Sequence, residues 1–168
     1  MSHFKDYQKR RDALLETIDS LKDFEASDRS VGFVFTVARE ILANPADFQG
    51  VAWLLRKGAE LTAYFSYLEG TANVMDARYK VAEVAHTDVR NGVAIALRND
   101  EVKYTEARAL AAQGTVESEV DVIKQELLAK NYATAAKVAE KMVSYIQSTL
   151  RQKESERHNI KLGESGNH

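Results

Sequence analysis

Stepping alternately four and three residues from Leu54, the chain reads Gly58, Leu61, Phe65, Leu68, Ala72, Met75, Tyr79, Ala82, His86, Val89, Val93 and Ala96. Only Gly58 and His86 in that series are not apolar. A seam of this period belongs to a helix that packs along its length against other helices, as in coiled coils. Unbroken from about residue 47 to about residue 98, the helix would be roughly 75 Å long, whereas a compact globule of this chain length has a radius of gyration of only about 15 Å. The seam therefore implies either a hairpin broken at Gly70-Thr-Ala-Asn73 or an elongated rod. The register held through Gly70 favours the rod.

The remaining composition fits a helical chain. A single proline, Pro45, and eight glycines in 168 residues leave long stretches without a breaker, whereas an all-β chain would need frequent Gly/Pro turns. With 45% apolar residues, a chain of this size builds a core without disulfides or metals. The absence of cysteine excludes disulfide frameworks, thiolate zinc sites and cysteine nucleophiles, and suits a reducing cytoplasm. The first residues, Met1-Ser2-His3-Phe4-Lys5-Asp6, are charged where a signal peptide is apolar, and no apolar run reaches membrane-span length. A cytoplasmic protein without membrane contact is expected.

Along the chain, Phe4, Tyr7, Leu14, Leu15, Ile18, Leu21 and Phe24 predict one amphipathic helix. Asp28-Arg29-Ser30 supplies caps for a second, through Ile41 and Leu42. That run is too long for a strand and stops at Asn44-Pro45. Asn44 as cap with Pro45 at the first helical position opens the long seam helix, which Arg98-Asn99-Asp100 ends. Thr105 to Ala112 predicts a short helix closed by Gly114, and Thr115 opens a last long one. There Val116, Val120, Ile123 and Leu127 form one seam. After a one-residue slip, Leu128, Tyr132, Ala135, Ala139, Met142 and Ile146 form the next. The predicted fold is all-α: an elongated antiparallel helical bundle or coiled coil of two long helices over residues 45–155. Residues 1–44 form N-terminal helices, and 156–168, which lack periodicity, a mobile tail.

Three kinds of chemistry deserve weighing. Glu83-Val84-Ala85-His86 has the Glu-x-x-His spacing of di-iron bundles, but those sites need a second copy and two further glutamates, which the sequence lacks. The simpler account is a seam histidine meeting a polar partner. Nucleophile elbows, Walker loops and dinucleotide fingerprints are absent, so neither catalysis nor a cofactor is expected. Basic residues are distributed more suggestively. Between Lys124 and Lys153 six cations stand against two acids on a chain of net charge −2. Steps of four and three from Lys130 give Thr134, Lys137, Lys141, Ser144, Ser148 and Arg151, a wholly polar stripe. Cations and hydroxyls are the groups that contact phosphate oxygens. Against this, every amphipathic helix has a polar face, and acids at the helix start with cations toward its end also complement the dipole. A second cluster joins Arg56, Lys57, Arg78 and Lys80 with Tyr64, Tyr67 and Tyr79, an interleaving able to stack unpaired bases.

Taken in order, Trp53 at the start of a long heptad helix, Ala77-Arg78-Tyr79-Lys80 midway, Lys103-Tyr104-Thr105-Glu106-Ala107 leading into a short helix, and a closing helix ending Ile146 to Arg151 resemble the UvsY-type recombination mediators of tailed phages. The resemblance spans roughly residues 50 to 155. It implies a small non-enzymatic helical protein that forms a homo-oligomer, binds single-stranded DNA and helps load a recombinase onto strands covered by single-strand-binding protein, in the cytoplasm of an infected host. Arg78 and Lys80 match the basic patch of that family. With Lys130, Lys137, Lys141 and Arg151 they are the expected nucleic-acid-binding residues. An adaptor or assembly protein with protein partners only is the alternative.

Overall fold

A computed structural model of the chain describes residues 12–43, 50–99 and 103–165. The described residues contain helices and no strand, so the fold is all-α as expected. Residues 12–20 form α1, followed by α2 (Lys22–Ser27), α3 (Arg29–Ala43), α4 (Val51–Asn99), α5 (Tyr104–Gly114) and α6 (Val116–Ser165). The cap expected at Asn44-Pro45 lies outside the described residues. The chain divides into two compact units. One joins the residues up to Glu69 with those from Ala133 onward, and the other is Gly70–Tyr132.

In the first unit, the single N-terminal helix expected from periodicity is interrupted at Leu21, whose φ of −110° and ψ of 20° depart from helical values. A turn closed by Leu21 N–H on the Ile18 carbonyl separates α1 from α2. Asp28 then caps α3 as its composition predicts, Oδ1 accepting from the Ser30 and Val31 N–H groups at 2.7 and 3.2 Å. Val31, Val34, Phe35, Ala38, Ile41 and Leu42 fall at helical spacing and are buried. This is why the β-branched run is a helix: it has one apolar face of helical period, and the bundle covers that face. Arg39 on α3 donates two hydrogen bonds to the Glu25 carboxylate at 2.6 and 2.7 Å, fastening α3 to α2. The Glu25 hydrogen bond, followed by its charge, raises the Arg39 pKa above its ordinary value despite partial burial.

Helix α4 is continuous through Gly70-Thr71-Ala72-Asn73, so the expected alternative of a hairpin break is not what forms. The predicted seam is the inward face. Leu54, Leu61 and Leu68 are fully buried in the first unit, each contributing about 1.5–3 kcal/mol from removal of its side chain from water. Gly58, the gap in the seam, has its reason here: a Cβ placed on it would sit 3.4 Å from Ile146 Cγ2 on α6. Gly58→Ala is expected to raise stability by about 0.5–1 kcal/mol, since it removes a mid-helix glycine at ordinary contact distance. Gly58→Leu is expected to overpack against Ile146 and cost about 1–3 kcal/mol. Urea denaturation of the two variants checks both signs.

In the second unit the seam continues through Met75, Tyr79, Ala82 and His86, all half-buried, and departs from expectation after that. Val89 and Ala96 are exposed, and Val93, Ala94 and Leu97 turn inward instead, because α5 lies beside this end of α4. Ala107 and Ala111 of α5 are buried. The first α6 seam is also corrected. Val116, Val120, Ile123 and Leu127 point outward, between 42% and 58% exposed. The inward positions are Thr115, Ser118, Val122, Gln125, Ala129 and Tyr132, again at steps of three and four and with no phase slip. Their partner explains the polarity: His86 Nδ1 lies 2.8 Å from Ser118 Oγ. Helix α6 also extends to Ser165 rather than ending near residue 155. No proline interrupts it, and Gln152 Nε2 donates to Glu156 Oε1 one turn on.

Candidate nucleic-acid interface

The expected nucleic-acid-binding residues fall in both units. Lys137, Lys141 and Arg151 belong to the first, on the outward face of α6. All three are exposed, and none makes an ion pair among the described residues. Their inward neighbours Ala136, Ala139, Met142 and Ile146 are buried, which fixes the rotation of the helix and holds the cations toward solvent. Ser144 and Ser148 complete the face. Both are exposed, and Ser148 Oγ donates to the Ser144 carbonyl at 2.9 Å, which leaves its lone pairs outward. What the face offers a polyanion is therefore chiefly three cations on a rigid helix.

Arg78, Lys80 and Lys130 belong to the second unit. Arg78 is exposed and unpaired among the described residues. Lys80 and Lys130 are different. Lys80 Nζ donates to Asp76 Oδ2 at 2.6 Å, and Lys130 Nζ to Glu126 Oε1, each to an acid four residues earlier. The hydrogen bond to the carboxylate, then its charge, raises each lysine pKa above the ordinary value. Both remain charged at neutral pH but share that charge with a neighbour.

Part of the aromatic cluster expected to stack bases is engaged within the fold, while Tyr67 is 53% exposed. Tyr64 is stacked on Phe33 with ring centroids 4.4 Å apart. Lys57 is turned to Glu40 of α3 and Glu60 of its own helix, at 3.3 and 3.5 Å. These residues tie α3 to α4. The Glu83 and His86 pair finds no third ligand: among the described residues no group of three or more metal-binding side chains occurs. No helix among them is long and apolar enough to cross a membrane.

Sequence reasoning missed the outward α4 stripe of the second unit and took the outward α6 stripe for an inward seam. On α4, Val74, Ala77, Val81 and Val84 form an outward stripe opposite the seam, with Val81 69% and Val84 61% exposed. On α6, Val116, Val120, Ile123 and Leu127 form a second. Each spans about 15 Å of helix. Arg78 and Lys80 border the α4 stripe at spacings of three and four, with Asp88 one turn past Val84 on the same face, while Glu117, Glu119 and Glu126 border the α6 stripe together with Lys124. The signal was in the sequence as a second apolar period, offset from the first. Comparisons of the chain with protein-family models, with curated proteins and with solved structures find no match.

Proposed function

We propose that this chain is a non-enzymatic, self-assembling protein that binds single-stranded DNA through the outward face of α6. In keeping with the resemblance, it acts as a recombination mediator that helps a recombinase displace single-strand-binding protein, in the cytoplasm. The observation that carries the DNA reading is the set of three exposed, unpaired cations Lys137, Lys141 and Arg151 on one helical face. Such a face tracks phosphates without reading bases, so binding should depend steeply on salt through release of condensed counterions. Fluorescence anisotropy of a labelled single-stranded oligonucleotide is expected to give log K against log salt with a slope of about −2, at about −0.7 per phosphate contact. Absence of binding at low salt removes the reading.

Self-assembly is supported by the second unit. None of its described large side chains is fully buried; Phe35, Ile18, Ile41, Leu54, Met142, Ile146 and the others that are fully buried all belong to the first. A helical unit with so little core, carrying two aliphatic stripes of equal length, gains by covering them. The α4 stripe is bordered mainly by cations and the α6 stripe mainly by acids, so the occupant that fits the α4 stripe of one copy is the α6 stripe of a second copy. That contact joins two different surfaces and leaves a free one at each end, the arrangement that closes into rings or extends into filaments. Arg78 and Lys80 then serve assembly, and the DNA contacts concentrate on Lys137, Lys141 and Arg151. A protein-only adaptor is favoured by the same stripes, and the oligonucleotide titration separates it from the mediator.

A further inference from the structure

The outward line of α6 does not stop at Arg151. Alternate steps of four and three from Lys137 pass Lys141, Ser144, Ser148 and Arg151 and go on to Ser155 and His158. His158 lies where the sequence predicts a mobile tail, and the structure holds it in helix. All seven side chains are exposed. None is acidic, on a chain in which acids outnumber bases 25 to 23. The acids of this stretch, Glu140, Glu154 and Glu156, fall to either side of the line at about 3.6 residues per turn. Glu156 is also engaged, accepting from Gln152 Nε2 at 3.0 Å.

The added turns contribute nothing to the core. From Ala135 to Thr149 each turn of α6 sends a side chain inward, with Ala135, Ala139, Met142, Ile146 and Thr149 all buried. Residues 154–158 bury none; all five are exposed. What these turns do is lengthen the polar line. From Lys137 to Arg151 it runs about 21 Å, and from Lys137 to His158 about 32 Å, at about 1.5 Å per residue. Stacked nucleotides rise about 3.4 Å each, so the longer line matches about nine of them where the shorter matches about six. Ser155 and His158 bring a hydroxyl and an imidazole, both able to donate to phosphate oxygens. Neither has a hydrogen-bond or ion-pair partner among the described residues.

We propose that the nucleic-acid track of α6 continues past Arg151 through Ser155 and His158, so that its ligand is a single strand of about nine nucleotides laid along the helix. This rests on the DNA reading of Lys137, Lys141 and Arg151 and adds its extent. Two neighbouring substitutions that make the same change of formal charge test it. Ser155→Glu acts on the line. Arg157→Gln acts on the far side of the helix, where Arg157 continues the inward series Met142, Ile146, Leu150 and Lys153. Both residues are exposed, and circular dichroism checks that each variant is folded. In anisotropy titrations of the full chain with a labelled ten-nucleotide strand, Ser155→Glu should weaken binding about tenfold and Arg157→Gln less than about twofold. Ser155→Lys should tighten binding and steepen the log–log salt slope by about 0.7. With a five-nucleotide strand, which fits between Lys137 and Arg151, the loss in Ser155→Glu should shrink to about twofold. Equal losses in Ser155→Glu and Arg157→Gln overturn the proposal, as do equal losses in Ser155→Glu at both strand lengths or an unchanged slope in Ser155→Lys. Each of these leaves wild-type binding in place and so leaves the DNA reading standing. Absence of wild-type binding removes that reading and the extension together.

Discussion

Simultaneous substitution of Lys137, Lys141 and Arg151 by Glu is expected to lower affinity for single-stranded DNA on the order of 100-fold at moderate salt, and to flatten the salt dependence by about 2 in log–log slope. The reasoning is local. All three side chains are exposed and make no ion pair among the described residues, so reversing them breaks no described ion pair and should leave the thermal transition nearly where it was. Opposite behaviour would come from altering Ala139 or Met142 on the buried side of the same helix, where the fold itself would be lost. Anisotropy titration at two salt concentrations beside a circular dichroism melt reads both quantities. Retained affinity would move the DNA contacts off α6 altogether.

A second large effect is expected from a single charge placed in either aliphatic stripe. Val81→Asp disables the α4 stripe and Ile123→Asp the α6 stripe, and each side chain is more than half exposed in one copy. Each variant alone should sediment as a monomer, with unfolding energy within about 0.5 kcal/mol of the isolated wild-type protomer. Mixing the two is the sharper measurement. Because the proposed contact joins α4 of one copy to α6 of another, Val81→Asp still offers an intact α6 stripe and Ile123→Asp an intact α4 stripe. The mixture should form dimers and nothing larger. A contact between like surfaces would give no such rescue, and wild-type protein that sediments as a monomer would end the assembly reading.

Which parts of this could be read from sequence depended on how each position is partnered. The α4 seam was legible because Leu54, Leu61 and Leu68 repeat at seven residues and meet an aliphatic surface. The first half of α6 was not, because its inward positions include Thr115, Ser118 and Gln125 while most of its aliphatic residues face out. Apolar period finds the most hydrophobic face, and here that face is not the one covered within a copy. His86 was the available clue: a polar residue on one seam calls for polar residues on the facing seam, and Ser118 supplies one. The cationic stripe was legible from Lys130 to Arg151, and the i, i+4 spacing of Asp76 to Lys80 and Glu126 to Lys130 marks which lysines are already paired.

Helix α4 carries two energetic regimes on one continuous backbone. Up to Glu69 its inward leucines belong to a well-filled core, while beyond Gly70 its inward side chains, Met75, Tyr79, Ala82 and His86 among them, are only half-buried. Local opening free energy follows buried apolar contact, so amide protons should exchange with solvent far faster in the second half of the helix than in the first. Any copy that covers the outward stripes adds to the stability of that half by mass action. In the proposed assembly, order in the second half would be coupled to how much of the protein is present, and the helix would report local concentration as a gradient of protection along its own length.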